Sequence, residues 1–222
     1  MGKQAFINKN LPGTKHKSLC LIPERFAIAM TERGWILRNT IIWHKPSCMP
    51  SSIKDRFTVD FEKLFFFTKS QKYFFNQQFE PHKHGGVPGR VYPGEKREKP
   101  RNQKWNPNKN GRNKRAVWSI APQPLPIDHF ATYPEKLVEI PIKAGCPKGG
   151  VVLDPFMGSG TSALVALKNN RKFIGIELNP KYVEIAMERI RPELDQLRLF
   201  AFSDKNHFYK GSISPQSQFF GK

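Results

Sequence analysis

The sequence predicts an α/β fold in which a parallel sheet carries helices on its faces. Its C-terminal half alternates helix-like and strand-like segments: helix "YPEKLVEIPIKAG", strand 150–154, helix 160–169, strand 172–177 and helix 180–190. This alternation is typical of parallel sheets, because two parallel strands need a crossover that is usually a helix. In the N-terminal half, "PERFAIAMTERGW" predicts a further helix that begins at Pro23 and ends at Gly34.

Two aromatic and β-branched runs, "WILRNTIIWHK" and "FEKLFFFTKS", follow that helix. Because both are short and separated by a polar region, they predict strands near 36–43 and 61–67, the second of them buried. We expect a core made of residues 1–80 and 117–195, a basic insertion at 81–116 and a polar tail at 196–222.

The charge of the chain favours a polyanionic partner. Its 222 residues contain 37 Lys and Arg against 18 Asp and Glu, a formal net charge of +19. Such an excess suits nucleic acid or an anionic membrane surface. No apolar run approaches the ~20 residues of a membrane span, and "MGKQAFINKN" at the N-terminus lacks the apolar segment of a secretory signal. We expect a cytoplasmic protein that binds nucleic acid and no membrane.

Cysteine usage fits a reducing compartment. Cys20, Cys48 and Cys146 are odd in number, far apart and outside any C-x-x-C pair, which argues against a disulfide framework and against a zinc site. His82 and His84 could hold a metal, but no further ligands lie near them in the sequence. We expect no bound metal.

The segment from Pro81 to Trp118 differs in composition from the rest of the chain. Gly, Pro, Asn and basic residues dominate it, and its eleven Lys and Arg exceed its two Glu by nine. A segment so poor in apolar residues cannot form a core, and its charge would release counterions from DNA phosphates. The alternative is a solvated basic loop.

The stretch "VVLDPFMGSGTSALVAL", residues 151–167, combines a strand, a glycine turn and a helix start. Gly158 and Gly160 permit torsions and a close ligand approach that side chains would block, and the helix near Thr161 directs unpaired N–H groups at the turn. Glu177 lies nineteen residues after Gly158, where a carboxylate can bind both hydroxyls of a ribose. The pattern indicates an adenosine-containing cofactor. A dinucleotide is one alternative, although the 45 residues after Glu177 do not fit a second nucleotide-binding half; a structural turn is the other.

These elements together resemble the amino-group DNA methyltransferases, the prokaryotic enzymes that methylate N4 of cytosine or N6 of adenine. The resemblance is carried by "FATYPEKLVEIPIKAGCPKGGVVLDPFMGSGTSALVALKNNRKFIGIELNPKYVEIAMERI" and "RGWILRNTIIWHKPSCMPSSIKDRFTVDFEKLFFFTKS", and it covers residues 19–190 apart from the insertion. It implies a Rossmann-like fold, S-adenosyl-L-methionine as cofactor and double-stranded DNA as substrate, in a site-specific restriction-modification methyltransferase. An RNA methyltransferase and a non-catalytic DNA-binding fragment or subunit are the alternatives.

By position, the resemblance implies contacts to the cofactor. The glycine turn would surround the methionine end, Glu177 would hold the ribose, and the element from Phe130 to Lys136 would close over the methionine moiety. The full expected set is Phe130, Tyr133, Pro134, Asp154, Phe156, Gly158, Ser159, Gly160, Thr161, Glu177 and Asn179.

The resemblance also implies contacts to DNA. Trp43 and Lys45 match the segment that lines the target-base pocket, and an aromatic beside a lysine suits stacking and phosphate contact with an extruded base. The alternative for Trp43 is a core position. The insertion occupies the place of target recognition, and its expected DNA contacts are Arg90, Arg97, Arg101, Lys104, Arg112, Lys114 and Arg115.

The catalytic element of the family is missing from the sequence. That element is Asp, Ser or Asn followed by Pro-Pro and an aromatic, and the 222 residues contain no Pro-Pro pair. The resemblance places it upstream together with two central strands, so the sheet is expected to be incomplete between strands 150–154 and 172–177 on one flank and 36–43 and 61–67 on the other. We therefore expect the chain alone to be inactive. A complementary N-terminal polypeptide or a second copy would complete the sheet. Alternatively, the strands of this chain would pair with each other across the gap.

Overall fold

The computed structural model describes residues 15–81, 109–123, 132–203 and 219–220. The predicted helices and strands are confirmed, and four short strands are additional. In chain order the elements are α1 (Ile22–Glu32), β1 (Ile36–His44), β2 (Phe61–Thr68), β3 (Phe79–Glu80), β4 (Arg112–Asn113), β5 (Val117–Ser119), α2 (Glu135–Gly145), β6 (Val151–Asp154), α3 (Thr161–Lys168), β7 (Lys172–Ile176), α4 (Pro180–Ser203) and β8 (Phe219–Phe220).

The last helix is longer than predicted. It continues past Pro192 to Ser203, so the segment expected to be a polar tail begins as helix. The apolar face that carries Ala186 and Ile190 continues with Leu194, which packs against the same core cluster. This continued burial outweighs the backbone hydrogen bond that a proline removes from a helix.

The C-terminal half is built around α3. Every residue from Thr161 to Leu167 is buried, because α3 packs against α2, α4, β6 and β7. Strands β6, β7 and β8 form a parallel sheet in that order. Phe173 of β7 and Ile190 of α4 are fully buried and anchor this core.

The N-terminal half is a second sheet centred on β1. Strand β2 pairs with β1 antiparallel and β5 pairs with it parallel. On one face, Phe26 of α1 lies edge-on to Phe67 of β2, with ring centroids 6.2 Å apart. Strand β2 is mostly half-buried rather than buried as predicted, because α1 leaves part of this face open.

The end of the basic segment belongs to this core, although the composition of residues 81–118 as a whole predicts no core contribution. Val117–Ser119 pairs with Ile42–His44, and Trp118 is buried. A single Val-Trp pair inside a basic stretch leaves almost no trace in its composition. The insertion begins directly after β3 and contains β4 near its C-terminal end. These two strands pair as a two-residue stem, with Phe79 opposite Asn113 and Glu80 opposite Arg112.

Helix α2 connects the two halves. Its Leu137 packs with Trp43 and Trp118, while its Ile142 packs into the α3 core. Within the described residues the two three-stranded sheets are not hydrogen-bonded to each other, and β2 and β6 each pair along one edge. Val151 and Leu153 of β6 are exposed. The structure is therefore the incomplete α/β fold that the sequence predicts.

Within these described ranges, no helix has the length and apolar character needed to cross a membrane. The same residues contain no group of three His, Cys, Asp or Glu that could hold a metal ion. Cys20, Cys48 and Cys146 are free thiols. His82 and His84 lie outside the described residues.

Candidate functional site

The two glycines of the turn between β6 and α3 have different roles. Both have left-handed torsions, with φ of +52° at Gly158 and +79° at Gly160, a region that side chains disfavour. A Cβ at Gly160 would lie 2.9 Å from Cβ of Ala186. Gly160 therefore lets α4 approach the turn, whereas we predicted that it leaves room for a ligand. A Cβ at Gly158 would meet no atom within 4 Å, so Gly158 borders open space.

Glu177, which directly follows β7, holds this turn. Its Oε2 accepts the N–H of Gly158 at 2.9 Å, and its Oε1 accepts the N–H of Asn179 at 2.8 Å. Asn179 caps α4, because its Oδ1 accepts the N–H of Lys181 at 3.1 Å. An ionised carboxylate has about four acceptor positions, so Glu177 retains capacity for hydroxyl groups of a ligand.

Asp154, at the end of β6, joins the turn to the start of α2. Its Oδ2 accepts the Tyr133 hydroxyl at 3.1 Å and also the Ser162 hydroxyl, and Oδ1 accepts the N–H of Phe156 at 3.0 Å. The hydroxyls of Tyr133 and Ser162 are 2.7 Å apart. Burial raises the pKa of Tyr133 to about 12, so the phenol stays neutral at pH 7. Pro134 is the N-cap residue of α2, which places this network directly before the helix.

Arg189 of α4 is a site residue that the sequence analysis missed, as is Ser162. Nη1 of Arg189 donates to the carbonyl oxygen of Ser159 at 2.5 Å, to Ser159 Oγ at 2.8 Å and to Thr161 Oγ1 at 3.3 Å. Burial lowers the pKa of this guanidinium, which nevertheless remains charged at neutral pH. A signal was present in the sequence: Arg189 follows Ala186 by one helical turn, on a face where an apolar residue is expected.

Two apolar side chains beside the turn are exposed. Phe156 is 87% exposed, and Leu178, next to Glu177, is 80% exposed. Large apolar side chains next to polar acceptors suit a ligand that has both a planar ring and hydroxyl groups. Of the expected cofactor residues, Phe130 lies outside the described residues, and the others lie around the β6–α3 turn, the start of α2 or the end of β7.

The predicted base-pocket residues are occupied by other contacts. Trp43 is only 5% exposed, and its Nε1 donates to the carbonyl of Ile120 at 2.8 Å. It is therefore a core residue, which corrects the prediction that it stacks on an extruded base. Lys45 forms an ion pair with Glu62, and its ammonium lies 4.6 Å from the centroid of the Trp43 ring.

The basic residues of the insertion are described only at its C-terminal end. Arg112 and Arg115 both donate from Nε to the same oxygen, Oε1 of Glu80, at 2.9 Å. The ammonium of Lys114 lies 5.7 Å from the centroid of the Trp118 ring. The remaining expected DNA contacts lie outside the described residues: Arg90, Arg97, Arg101 and Lys104.

The fold and the turn together define a class of protein. An acid at the end of one parallel strand, bonded to a glycine turn that follows the neighbouring strand, is the arrangement of a Rossmann-like protein that binds a nucleoside-containing cofactor. A family model described as DNA methylase, covering the N6 and N4 enzymes, matches residues 2–188. The chain belongs to this DNA methylase family, as the resemblance of its motifs indicated.

Two relatives and one solved structure show the extent of the similarity. Type II methyltransferase M.XycI of Xanthomonas campestris pv. cyanopsidis is 41% identical over 181 residues, 81% of this chain and 52% of the relative. M.Cfr9I of Citrobacter freundii is 41% identical over 183 residues, 82% of this chain and 53% of the relative. The structure of PvuII DNA methyltransferase (cytosine-N4-specific) shares the fold, with a TM-score of 0.56 and 20% identity over 84% of this chain and 64% of that one. The chain thus spans about half the length of the two relatives.

Proposed function

We propose that this chain is the cofactor-binding and DNA-binding part of a site-specific DNA methyltransferase in a restriction-modification system. Together with a complementary segment, it transfers the methyl group of S-adenosyl-L-methionine to the exocyclic amine of adenine or cytosine. The names of the relatives, Type II methyltransferases M.XycI and M.Cfr9I, support this reaction class.

The observation that carries the proposal is the contact between Glu177 and the glycine turn. Both carboxylate oxygens bind backbone N–H groups, which fixes the acid in place and leaves acceptor capacity for the two ribose hydroxyls. Gly158 borders open space, where any side chain would occupy ligand volume. Asp154 and Tyr133 close the methionine side, while Phe156 and Leu178 offer apolar surface to the adenine. These residues fit S-adenosyl-L-methionine, which supplies an electrophilic sulfonium methyl group.

DNA binding is assigned to the basic insertion. Its surplus of nine positive charges accounts for almost half of the net charge of +19, and each phosphate that it neutralises releases a counterion. Glu80 forms ion pairs with both Arg112 and Arg115, which hold the two ends of the stem together. Its Asn, Gln and Arg side chains are of the types that read base edges in the major groove.

Methyl transfer needs a group that this sequence lacks. An exocyclic amine is weakly nucleophilic because its lone pair is delocalised into the ring, so acceptors must localise the lone pair and receive the proton. The Pro-Pro-aromatic element that does this in the family is missing from the 222 residues. We assign it to a complementary N-terminal polypeptide, whose strands would pair with the open edges of β2 and β6 and cover the exposed Val151 and Leu153.

A radiolabelled methyl-transfer assay on duplex DNA tests the proposal. The 222-residue chain alone should transfer no methyl group, and adding the upstream half of a close relative in trans should restore turnover. Glu177→Ala should abolish the restored activity, while Glu184→Ala, on the exposed side of α4, should leave it unchanged. Sustained transfer by the chain alone, lost in Glu177→Ala, would show that another residue here acts as the acceptor. DNA binding without any affinity for S-adenosyl-L-methionine would instead indicate a non-catalytic DNA-binding subunit.

A further inference from the structure

A cavity of about 370 Å³ lies away from the glycine turn, between the β1–β2 sheet, α2 and the stem of the insertion. Its volume falls within the range of small-molecule sites. Its floor is apolar and aromatic: Ile41 and Leu64 come from the sheet, Ile140 and Ala144 from α2, and Trp118 from β5. None of the residues assigned to the cofactor lines this cavity.

Aromatic rings on one wall provide a stacking surface. Phe66 of β2 and Phe75 lie stacked, with ring centroids 5.6 Å apart and planes inclined by 24°. Phe75 is half exposed, so its ring is accessible from the cavity. Such a wall accepts the face of a planar heterocycle.

Gln77, just before the stem, and Asn113, within it, contribute amide groups to the same cavity. Nε2 of Gln77 donates to Oδ1 of Asn113 at 2.6 Å. In the part of the chain that the structure describes, no hydrogen bond uses Oε1 of Gln77 or Nδ2 of Asn113. The pair therefore leaves one acceptor, on Gln77, and one donor, on Asn113, for a ligand. Adenine and cytosine both offer an amino donor next to a ring-nitrogen acceptor, which these two groups can bind. The larger ring system of adenine makes more contact with the Phe66–Phe75 wall, which favours adenine.

Two cations lie next to these amides. Lys114 and Arg115 line the cavity, and Arg115 is held by Glu80. Lys114 forms no ion pair within the described ranges, so its ammonium is free to contact a phosphate.

We propose that this cavity binds an unpaired adenine nucleotide, with the base between the Phe66–Phe75 wall and the Gln77–Asn113 pair and the phosphate at Lys114. The biological ligand would be a base that leaves the duplex next to the stem. This part of the proposal rests on the proposed DNA-binding role of the insertion. It does not rest on methyl transfer. The cavity would hold an adenine outside the helix at a distance from the cofactor, and so contribute to site recognition.

Mononucleotide binding to the full chain tests the proposal independently of duplex DNA. The probe is 2-aminopurine deoxyribonucleoside monophosphate, whose emission falls when it stacks, and dAMP and dCMP are the competitors. We expect dAMP to compete about tenfold better than dCMP. Asn113→Asp, which keeps the acceptor for Gln77 but replaces the donor, should weaken dAMP binding by about tenfold or more. Lys114→Met should lower dAMP affinity to that of deoxyadenosine, and Lys54→Met, an exposed lysine of the β1–β2 loop, should not.

Three outcomes would overturn the assignment. One is equal affinity of the parent chain and Asn113→Asp for dAMP. The second is displacement of the probe by S-adenosyl-L-methionine, which would place the probe at the glycine turn. The third is no mononucleotide binding at millimolar concentration. If dAMP fails to bind while duplex DNA and the cofactor bind, the cavity proposal fails and the proposed function stands. If dAMP binds in the cavity while duplex DNA and the cofactor do not bind, the proposed function fails and the mononucleotide site stands.

Discussion

Replacing the two turn glycines one at a time separates a packing role from a ligand-binding role. Both residues have positive φ, so alanine at either position adds about 1–2 kcal/mol of backbone strain. At Gly160 the new methyl group would also lie 2.9 Å from Cβ of Ala186, and overpacking of this kind costs about 1–3 kcal/mol more. Gly160→Ala should therefore lose about 2–5 kcal/mol of unfolding free energy, and Gly158→Ala only about 1–2 kcal/mol.

Urea denaturation followed by circular dichroism measures the first effect, and calorimetry with S-adenosyl-L-methionine measures the second. Gly158→Val, with a branched side chain in open space, should remain folded but lose at least about tenfold in cofactor affinity, since a side chain there occupies ligand volume. Equal losses of stability at the two positions would show that Ala186 moves away without cost. Unchanged cofactor affinity in Gly158→Val would refute the placement of the cofactor at this turn.

Three further predictions concern charge and hydrogen bonding. Deleting residues 84–108 removes six of the eleven basic residues of the insertion but keeps its stem. The slope of log binding constant against log salt concentration, from filter binding or fluorescence anisotropy with DNA, should become shallower by up to about 5. An unchanged slope would contradict DNA binding by the insertion. The pKa of Tyr133 is raised from 10.0 to about 12 in the folded state, so its neutral phenol contributes about 3 kcal/mol of stability below pH 10 that is lost as the pH rises towards 12. The unfolding free energy of Tyr133→Phe should therefore fall less steeply over that range than that of the parent. Arg189→Met removes all three contacts to the turn. Denaturation should show a loss of about 1–2 kcal/mol and calorimetry weaker cofactor binding, neither of which is expected for exposed Arg191→Met.

Local patterns in the sequence predicted most of the fold. The alternation of strand and helix between β6 and α4 depends on periodicity within each segment, and the pairing of Glu177 with the glycine turn follows from the order of two adjacent strands. What could not be predicted depends on contacts between distant segments. Trp43 is buried because β5 returns to β1 after an insertion of about thirty residues, and its indole N–H meets the carbonyl of Ile120. No local pattern in β1 records that contact.

The same reasoning explains the site residues that were misjudged. Gly160 is needed for packing because α4 crosses the turn and places Cβ of Ala186 directly against it. Arg189 contacts Ser159 and Thr161 from the same helix. Both relations join elements that are separated by a strand and a turn, so they depend on tertiary packing rather than on the spacing of residues in one segment.

The two-residue stem of the insertion has a consequence for how specificity evolves. Phe79 and Glu80 pair with Asn113 and Arg112, and Glu80 adds an ion pair to Arg112, so the stem is closed by contacts between its own residues. The sequence between its ends can therefore change in length and composition without altering the register of β1, β2 or β5. Under the proposed role of the insertion, a recombination event that exchanged this segment between homologous genes would transfer a DNA target preference as one unit, while the folding stability of the recipient stayed nearly the same.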